Sequence, residues 1–201
     1  YIEATNVPKY IIQSPLDNKI PFIKEFVVPY ILWFGYVAYG VIYTGLNSKS
    51  DYYKLYIFLA GGMSVCYIIY MVFPNTQNLR HVITQNDIFS DMVKFIYLTD
   101  TPTNVCPSIH VFNSIAVDAA LKNSKSFHSN KLGRMISSIL MILICLSTVF
   151  IKQHSVIDVA YGVILAAIFY VLIYAVPNVK QFIQTTESCS LKEILKAAFN
   201  N

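Results

Sequence analysis

The chain has 201 residues, 55% hydrophobic and only 13% charged, with a mean hydropathy of +0.51 and a formal net charge of +4. Soluble domains carry about 25% charged residues, so this composition excludes an ordinary water-soluble domain and points to lipid. Four cysteines (Cys66, Cys106, Cys145 and Cys189) show neither CxxC nor other metal-ligand spacing, so neither a disulfide framework nor a zinc site is expected; no cofactor and no nucleic-acid partner is expected either.

Residues 1–26 mix charges with apolar side chains. Ile11, Ile12, Ile20, Phe22 and Ile23 suit a segment lying along the membrane interface, and Pro15 and Pro21 break any long helix there. No signal peptide is recognisable at the start. A bilayer core takes about 20 apolar residues as helix. Residues 27–45 carry no charge, and neither do 55–73 or 135–151. Residues 105–121 are apolar apart from His110 and Asp118, and 155–179 are apolar after Asp158. The expected fold is therefore all-α, a polytopic transmembrane helical bundle of five spans forming one domain over 1–201. Pro29 falls at the start of the first span, where a missing N–H costs little. Gly61-Gly62 falls inside the second, where small residues permit close helix packing. Pro177 marks the end of the last. Tyrosines at span ends (Tyr30, Tyr43, Tyr52, Tyr53, Tyr56) fit an aromatic belt.

Charge sets the orientation. The 122–134 connection holds Lys122, Lys125, Lys131 and Arg134 with no acid. Alternation places it with the 46–54 link and the tail (Lys180, Lys192, Lys196 against Glu187 and Glu193) on one side. The N-terminal segment and the 74–104 loop, without basic excess, fall on the other. The positive-inside rule makes the first side cytoplasmic. Arg80, His110, His154 and Asp158 then gather at the outer face.

His154 and Asp158 are i and i+4 and share a helix face. A carboxylate on one ring nitrogen sets the tautomer and makes the other nitrogen a better nucleophile. His110 is placed to protonate a leaving oxygen and later to activate water. Arg80 and Lys152 are candidate cations for the equatorial oxygens of a phosphoryl group. Ser108 opens a helix, a place suited to an anion. Read singly, these residues are plainer: HxxxD is also a structural pair or half a metal site, and Arg80 and Lys152 are also interfacial anchors. Asp118 is expected to make a polar contact between helices.

These residues resemble the type 2 phosphatidic acid phosphatase family. That family's middle motif, Pro-Ser-Gly-His, reads here Pro107-Ser108-Ile109-His110. Its last motif, Ser-Arg, five residues, His, three residues, Asp, reads here Ser147-Thr148, then His154 and Asp158. Its first motif, Lys, six residues, Arg-Pro, becomes Phe73, then Arg80-His81. Two motif cations are thus missing, at Phe73 and Thr148. The departures, together with the runs 15–22 and 100–104, look like the branch containing inositol phosphorylceramide synthase-like proteins. The resemblance implies His154 as nucleophile, Asp158 as its orienting partner, His110 as acid, and Arg80 and Ser108 on the phosphate, without metal. Lys152 in that last role is an inference from its chemistry. Family members typically have six spans, which implies one more ahead of Tyr1.

The expected activity is a lipid phosphate phosphatase working through phosphohistidine at the outer face of the plasma membrane, with a phosphorylated lipid as substrate. A phosphotransferase passing a phospho-headgroup to a lipid acceptor is the alternative. A catalytically inactive lipid-binding or transport protein, with His154–Asp158 as a structural or proton-relay pair, is the rival from another class.

Overall fold

Helices form where the uncharged runs lie, but they extend into the flanking charges. The computed structural model describes residues 8–176; Pro177, Cys189 and the charged tail lie outside the described residues. Helix α1 (Val27–Asn47) is entered through a 3-10 turn at Lys24–Phe26. Helix α2 (Lys49–Val72) follows after one residue, Ser48, whose Oγ accepts the Asp51 N–H and starts the helix. Lys49, Asp51 and Lys54 therefore belong to α2 and not to a link. The expected loop 74–104 contains an amphipathic helix, α3 (Ile88–Thr99), capped by Asp87 through the Phe89 and Ser90 N–H groups. Helices α4 (Ile109–Asn123), α5 (Lys131–Phe150) and α6 (Val156–Tyr170) complete the bundle. The last continues as a π turn, Val171–Ala175. Two short strands, Tyr10–Ile11 and Asn75–Thr76, pair in parallel and tie the N-terminal segment to the end of α2.

Among the described residues, Lys24–Asn47, Lys49–Val72, Lys131–Phe150 and Val156–Ala175 are long and apolar enough to cross a membrane. The chain is a multi-pass helical bundle. The expected third span differs. Residues 105–108 are not helical, and α4 has 15 residues, about 22 Å of helix against a hydrocarbon core of about 30 Å. Most of its side chains are buried, on every face, because α4 packs against α1, α2, α5 and α6 together. Its surroundings are protein rather than lipid, which is why it tolerates His110, Asn113 and Asp118. Asp118 makes the interhelical contact expected of it. It accepts from Ser137 Oγ at 2.8 Å and Ser138 Oγ at 3.2 Å, and pairs with Lys122 Nζ at 2.7 Å.

Close packing around α4 depends on the glycine pair in α2. The Phe112 ring fills the space over Gly62, where a Cβ would lie 1.8 Å from its Cζ. Phe58 and Phe169 stack at 5.9 Å and both meet Phe112 edge-on. Tyr30 departs from the expected belt: it is 1% exposed and its OH donates to Asp100 Oδ2 at 2.6 Å. Nor does the N-terminal segment lie free along an interface, since it crosses one end of the bundle and is bonded there. That end gathers the start of α1, the end of α2, the start of α4 and the α5–α6 turn; the Ser108 N–H donates to Asp158 O and the Ile23 N–H to Phe150 O. The basic residues of 122–134 lie at the opposite end, where Tyr43 meets Phe127; Lys122 is in α4 and Lys131 and Arg134 are in α5, which leaves Lys125 in the turn between them.

Gly62→Ala should therefore be costly, by about 1–3 kcal/mol of overpacking, because a rigid buried ring must move. Gly35, whose added Cβ meets nothing within 4 Å, is the control, and Gly35→Ala should be neutral. Thermal unfolding of the detergent-solubilised chain checks this; equal melting of the two variants would contradict the packing described.

Candidate active site at the α5–α6 turn

The turn between α5 and α6 places His154. Helix α5 ends because Lys152 adopts φ 56°, the left-handed conformation. Its N–H donates to Val149 O, and the N–H groups of Gln153 and His154 both donate to Thr148 O. Such helix endings usually use glycine; a side chain there costs about 1–2 kcal/mol. The lysine compensates through its own ammonium, which donates to Asp17 O at 2.7 Å and Ile20 O at 2.6 Å. Hydrogen bonds to charged groups contribute about 1.5–3 kcal/mol each, so two of them outweigh the backbone strain and part of the desolvation. Burial holds the Lys152 pKa below the ordinary lysine value, and the Asp17 charge opposes the shift.

Other segments clamp the same turn. Tyr97 OH donates to Ile151 O at 2.7 Å, Gln77 Nε2 to Lys152 O at 3.1 Å, and Gln153 Nε2 to Asp100 Oδ2 at 3.2 Å. Helix α6 then starts under two buried carboxylates. Asp158 Oδ2 accepts the Ser155 N–H at 2.9 Å in a capping box. Asp17 accepts from Ser155 Oγ at 2.7 Å and the Val156 N–H at 2.9 Å. Negative charge at a helix N-terminus is favourable.

The three expected catalytic residues come together. His154 Nδ1 lies 3.4 Å from Asp158 Oδ2, longer than the 2.7–2.9 Å or so of a tight charge-assisted bond. His110, in the first turn of α4, packs against Tyr30 at 4.5 Å and Trp33 at 4.4 Å, and its ring centre is 5.7 Å from that of His154. His110 Nδ1 and Asp158 Oδ1 are buried without a hydrogen-bond partner among the described residues. Burial, helped by the adjacent Asp158 carboxylate, pushes the Cys106 thiol up to about 12. A cleft of about 80 Å³ opens over both imidazoles, bordered also by Tyr70, Asp100, Asn104 and Gln153.

The three expected phosphate-binding residues are occupied elsewhere. Lys152 is spent on the carbonyls of Asp17 and Ile20. Arg80 donates through Nη1 to Tyr97 O at 2.7 Å and through Nη2 to Asp100 O, with its guanidinium 4.7 Å from the Tyr97 ring centre. Burial lowers its pKa, with Asp100 opposing. Ser108 is fully buried and caps α4, its Oγ accepting the Val111 N–H at 3.5 Å. For Lys152 and Arg80 the physical reason is shared: a buried donor binds the nearest backbone acceptors sooner than it stays unpaired. Among the described residues no lysine or arginine borders the cleft, and Asp100 brings a carboxylate to it.

Several site residues were not singled out by sequence reasoning. Tyr30, Trp33, Tyr70 and Gln153 surround the imidazoles. Asp17, Asn75 and Gln77 stand behind them. Asn75, fully buried, accepts the Val105 and Cys106 N–H groups at 2.9 Å each and donates to Phe73 O and Cys106 O, locking the end of α2 to the approach of α4. Asp17 had a local signal, the capping-box form Ser14-Pro15-Leu16-Asp17. Asn75 and Gln77 had none. Compared with protein-family models, curated proteins and solved structures, the chain finds no match.

Lys152→Met keeps the stem and removes the two donor bonds, leaving two carbonyls unpaired at about 1–3 kcal/mol each. It should lower the melting temperature clearly. Lys152→Gly should recover part of that loss, because glycine accepts the left-handed backbone freely. Unchanged melting of Lys152→Met in differential scanning fluorimetry would show that the ammonium does not hold the turn.

Proposed function

We propose that this chain is a membrane-embedded lipid phosphate phosphatase acting through His154. One observation carries the reading: a buried His154–Asp158 pair and a second imidazole, His110, share one cleft at one end of a membrane bundle. The motif resemblance points to the same three residues. Asp158 would hold the Nδ1–H of His154, leaving Nε2 to attack phosphorus. The bond from phosphorus to the lipid oxygen breaks as His110 gives that oxygen a proton. His110, now neutral, then takes a proton from water, which attacks the phosphohistidine, releases phosphate and restores His154. A lipid alcohol in place of water would make the same cycle a phosphotransferase.

Charge on the phosphoryl oxygens needs donors. The first N–H groups of α4 have no partners within the helix and lie beside His110, where the helix N-terminus favours an anion. Arg80 reaches the cleft wall through Asp100, and its Nε is free of partners among the described residues. The cleft lies at the end of the bundle opposite the basic residues of 122–134, so the positive-inside rule supports an extracytoplasmic site; the plasma membrane is the location proposed for it.

The bordering Asp100 and the lack of a bordering cation favour a second reading: a lipid-binding or transport protein in which His154 and Asp158 form a structural or proton-relay pair. Phosphate release from a panel of lipid phosphates, with and without diacylglycerol, separates the readings. Under the proposal the wild type turns over, His154→Ala loses turnover, and Asp158→Asn loses roughly two orders of magnitude or more in kcat with little change in KM. Turnover undiminished in His154→Ala would rule out its role, and no turnover by the wild type on any substrate would favour the second reading. For orientation, Ser126→Cys in a chain cleared of its native cysteines should resist impermeant thiol reagents on intact cells, and labelling would reverse the topology.

A further inference from the structure

A second cavity, of about 360 Å³, lies between α1 and α5 with the end of α4 behind it. Volumes of roughly 300–1,000 Å³ are those of small-molecule sites. Leu32, Gly35 and Tyr39 border it on α1, and Ile136 and Leu140 on α5, while Phe127 closes the end nearest the basic residues. Both flanking helices are long and apolar enough to cross a membrane. Leu32, Tyr39 and Ile136 are about half exposed along its mouth, so the mouth faces acyl chains, not water.

The floor asks for no polar ligand. Tyr36 OH and Ser137 Oγ are 2.7 Å apart, and Ser137 in turn donates to Asp118, which pairs with Lys122. Every polar group of the floor is therefore satisfied from within. What would fill the cavity is a flexible hydrocarbon chain. Gly35 keeps it open, since a Cβ there meets nothing within 4 Å.

Charge identifies the other half of the occupant. Phe127 borders the cavity from the turn that carries Lys125, and Gly133 borders it from the first turn of α5, which carries Lys131 and Arg134. Lys125 and Lys131 are exposed and Arg134 is half-buried. Among the described residues, no carboxylate pairs with any of the three. Basic residues at a membrane surface attract anionic lipid. We propose that this groove and the basic residues at its end together form a site for one anionic phospholipid of the leaflet at the basic end, its acyl chain between α1 and α5 and its phosphate on Lys125, Lys131 and Arg134. The groove shares no lining residue with the imidazole cleft, and the basic residues lie at the opposite end of the bundle.

Native mass spectrometry of the full chain, released from mixed micelles of phosphatidylglycerol and phosphatidylcholine with identical acyl chains, tests the proposal. The wild type should retain one phosphatidylglycerol in preference to phosphatidylcholine. Gly35→Phe, which plugs the groove, and the triple variant Lys125→Gln, Lys131→Gln, Arg134→Gln should each lower that retention by about tenfold or more. Melting without added lipid checks that both variants fold, and Gly35→Leu serves as a smaller plug should Gly35→Phe fail. Equal retention of the two lipids by the wild type overturns the site. So does undiminished retention in the plugged chain, which would mean surface attraction alone.

Discussion

The structure depends on one turn, residues 151–155, which must stop α5, reverse the chain and present His154 before α6 begins. It does so with a lysine in a left-handed conformation, a choice that is unfavourable alone. The ammonium of Lys152 makes it favourable by reaching the carbonyls of Asp17 and Ile20. The carboxylate of Asp17 caps the helix on the far side of the same turn. One short N-terminal segment thus bonds to both sides of the reversal. Tyr97, Gln77 and Asp100 hold it from the segment between α2 and α4. A histidine held this way has few ways to move, as a preorganised reacting group requires.

The second constraint is the enclosure of α4. In lipid, an aspartate, an asparagine and a histidine along one helix would be expensive. Surrounding that helix with four others changes its solvent to protein, in which Ser137, Ser138 and Lys122 can pair with Asp118. The glycines of α2 make the enclosure tight enough, since Phe112 packs where any other residue's Cβ would stand. A short helix can therefore carry His110 to the site without itself meeting the bilayer along its length.

Much of this was legible from the uncharged runs, because membrane helices need little more than length and apolarity. Four spans follow from that rule alone. The rule could not tell that 105–121 differs from the other four, since an apolar run buried in protein looks the same as one buried in lipid; the length and enclosure of the folded helix show it. The His154, Asp158 and His110 grouping was legible through spacing and alternation, which deliver distant residues to one end. The cations were not. A charge near a site looks available in sequence, yet Arg80 and Lys152 are held by backbone carbonyls that no pattern announces. Asn75 and Gln77 were hidden for the same reason, since they bond to peptide groups remote in sequence.

The central claim is that His154 forms a covalent bond to phosphorus. The direct measurement is mass spectrometry of the peptide containing residue 154 after brief incubation with a lipid phosphate and an alkaline quench, which preserves phosphohistidine. The account predicts one phosphoryl group on His154 that disappears as substrate is exhausted. Turnover with no phosphoryl group on that peptide at any time, or with the group on another residue, would contradict it.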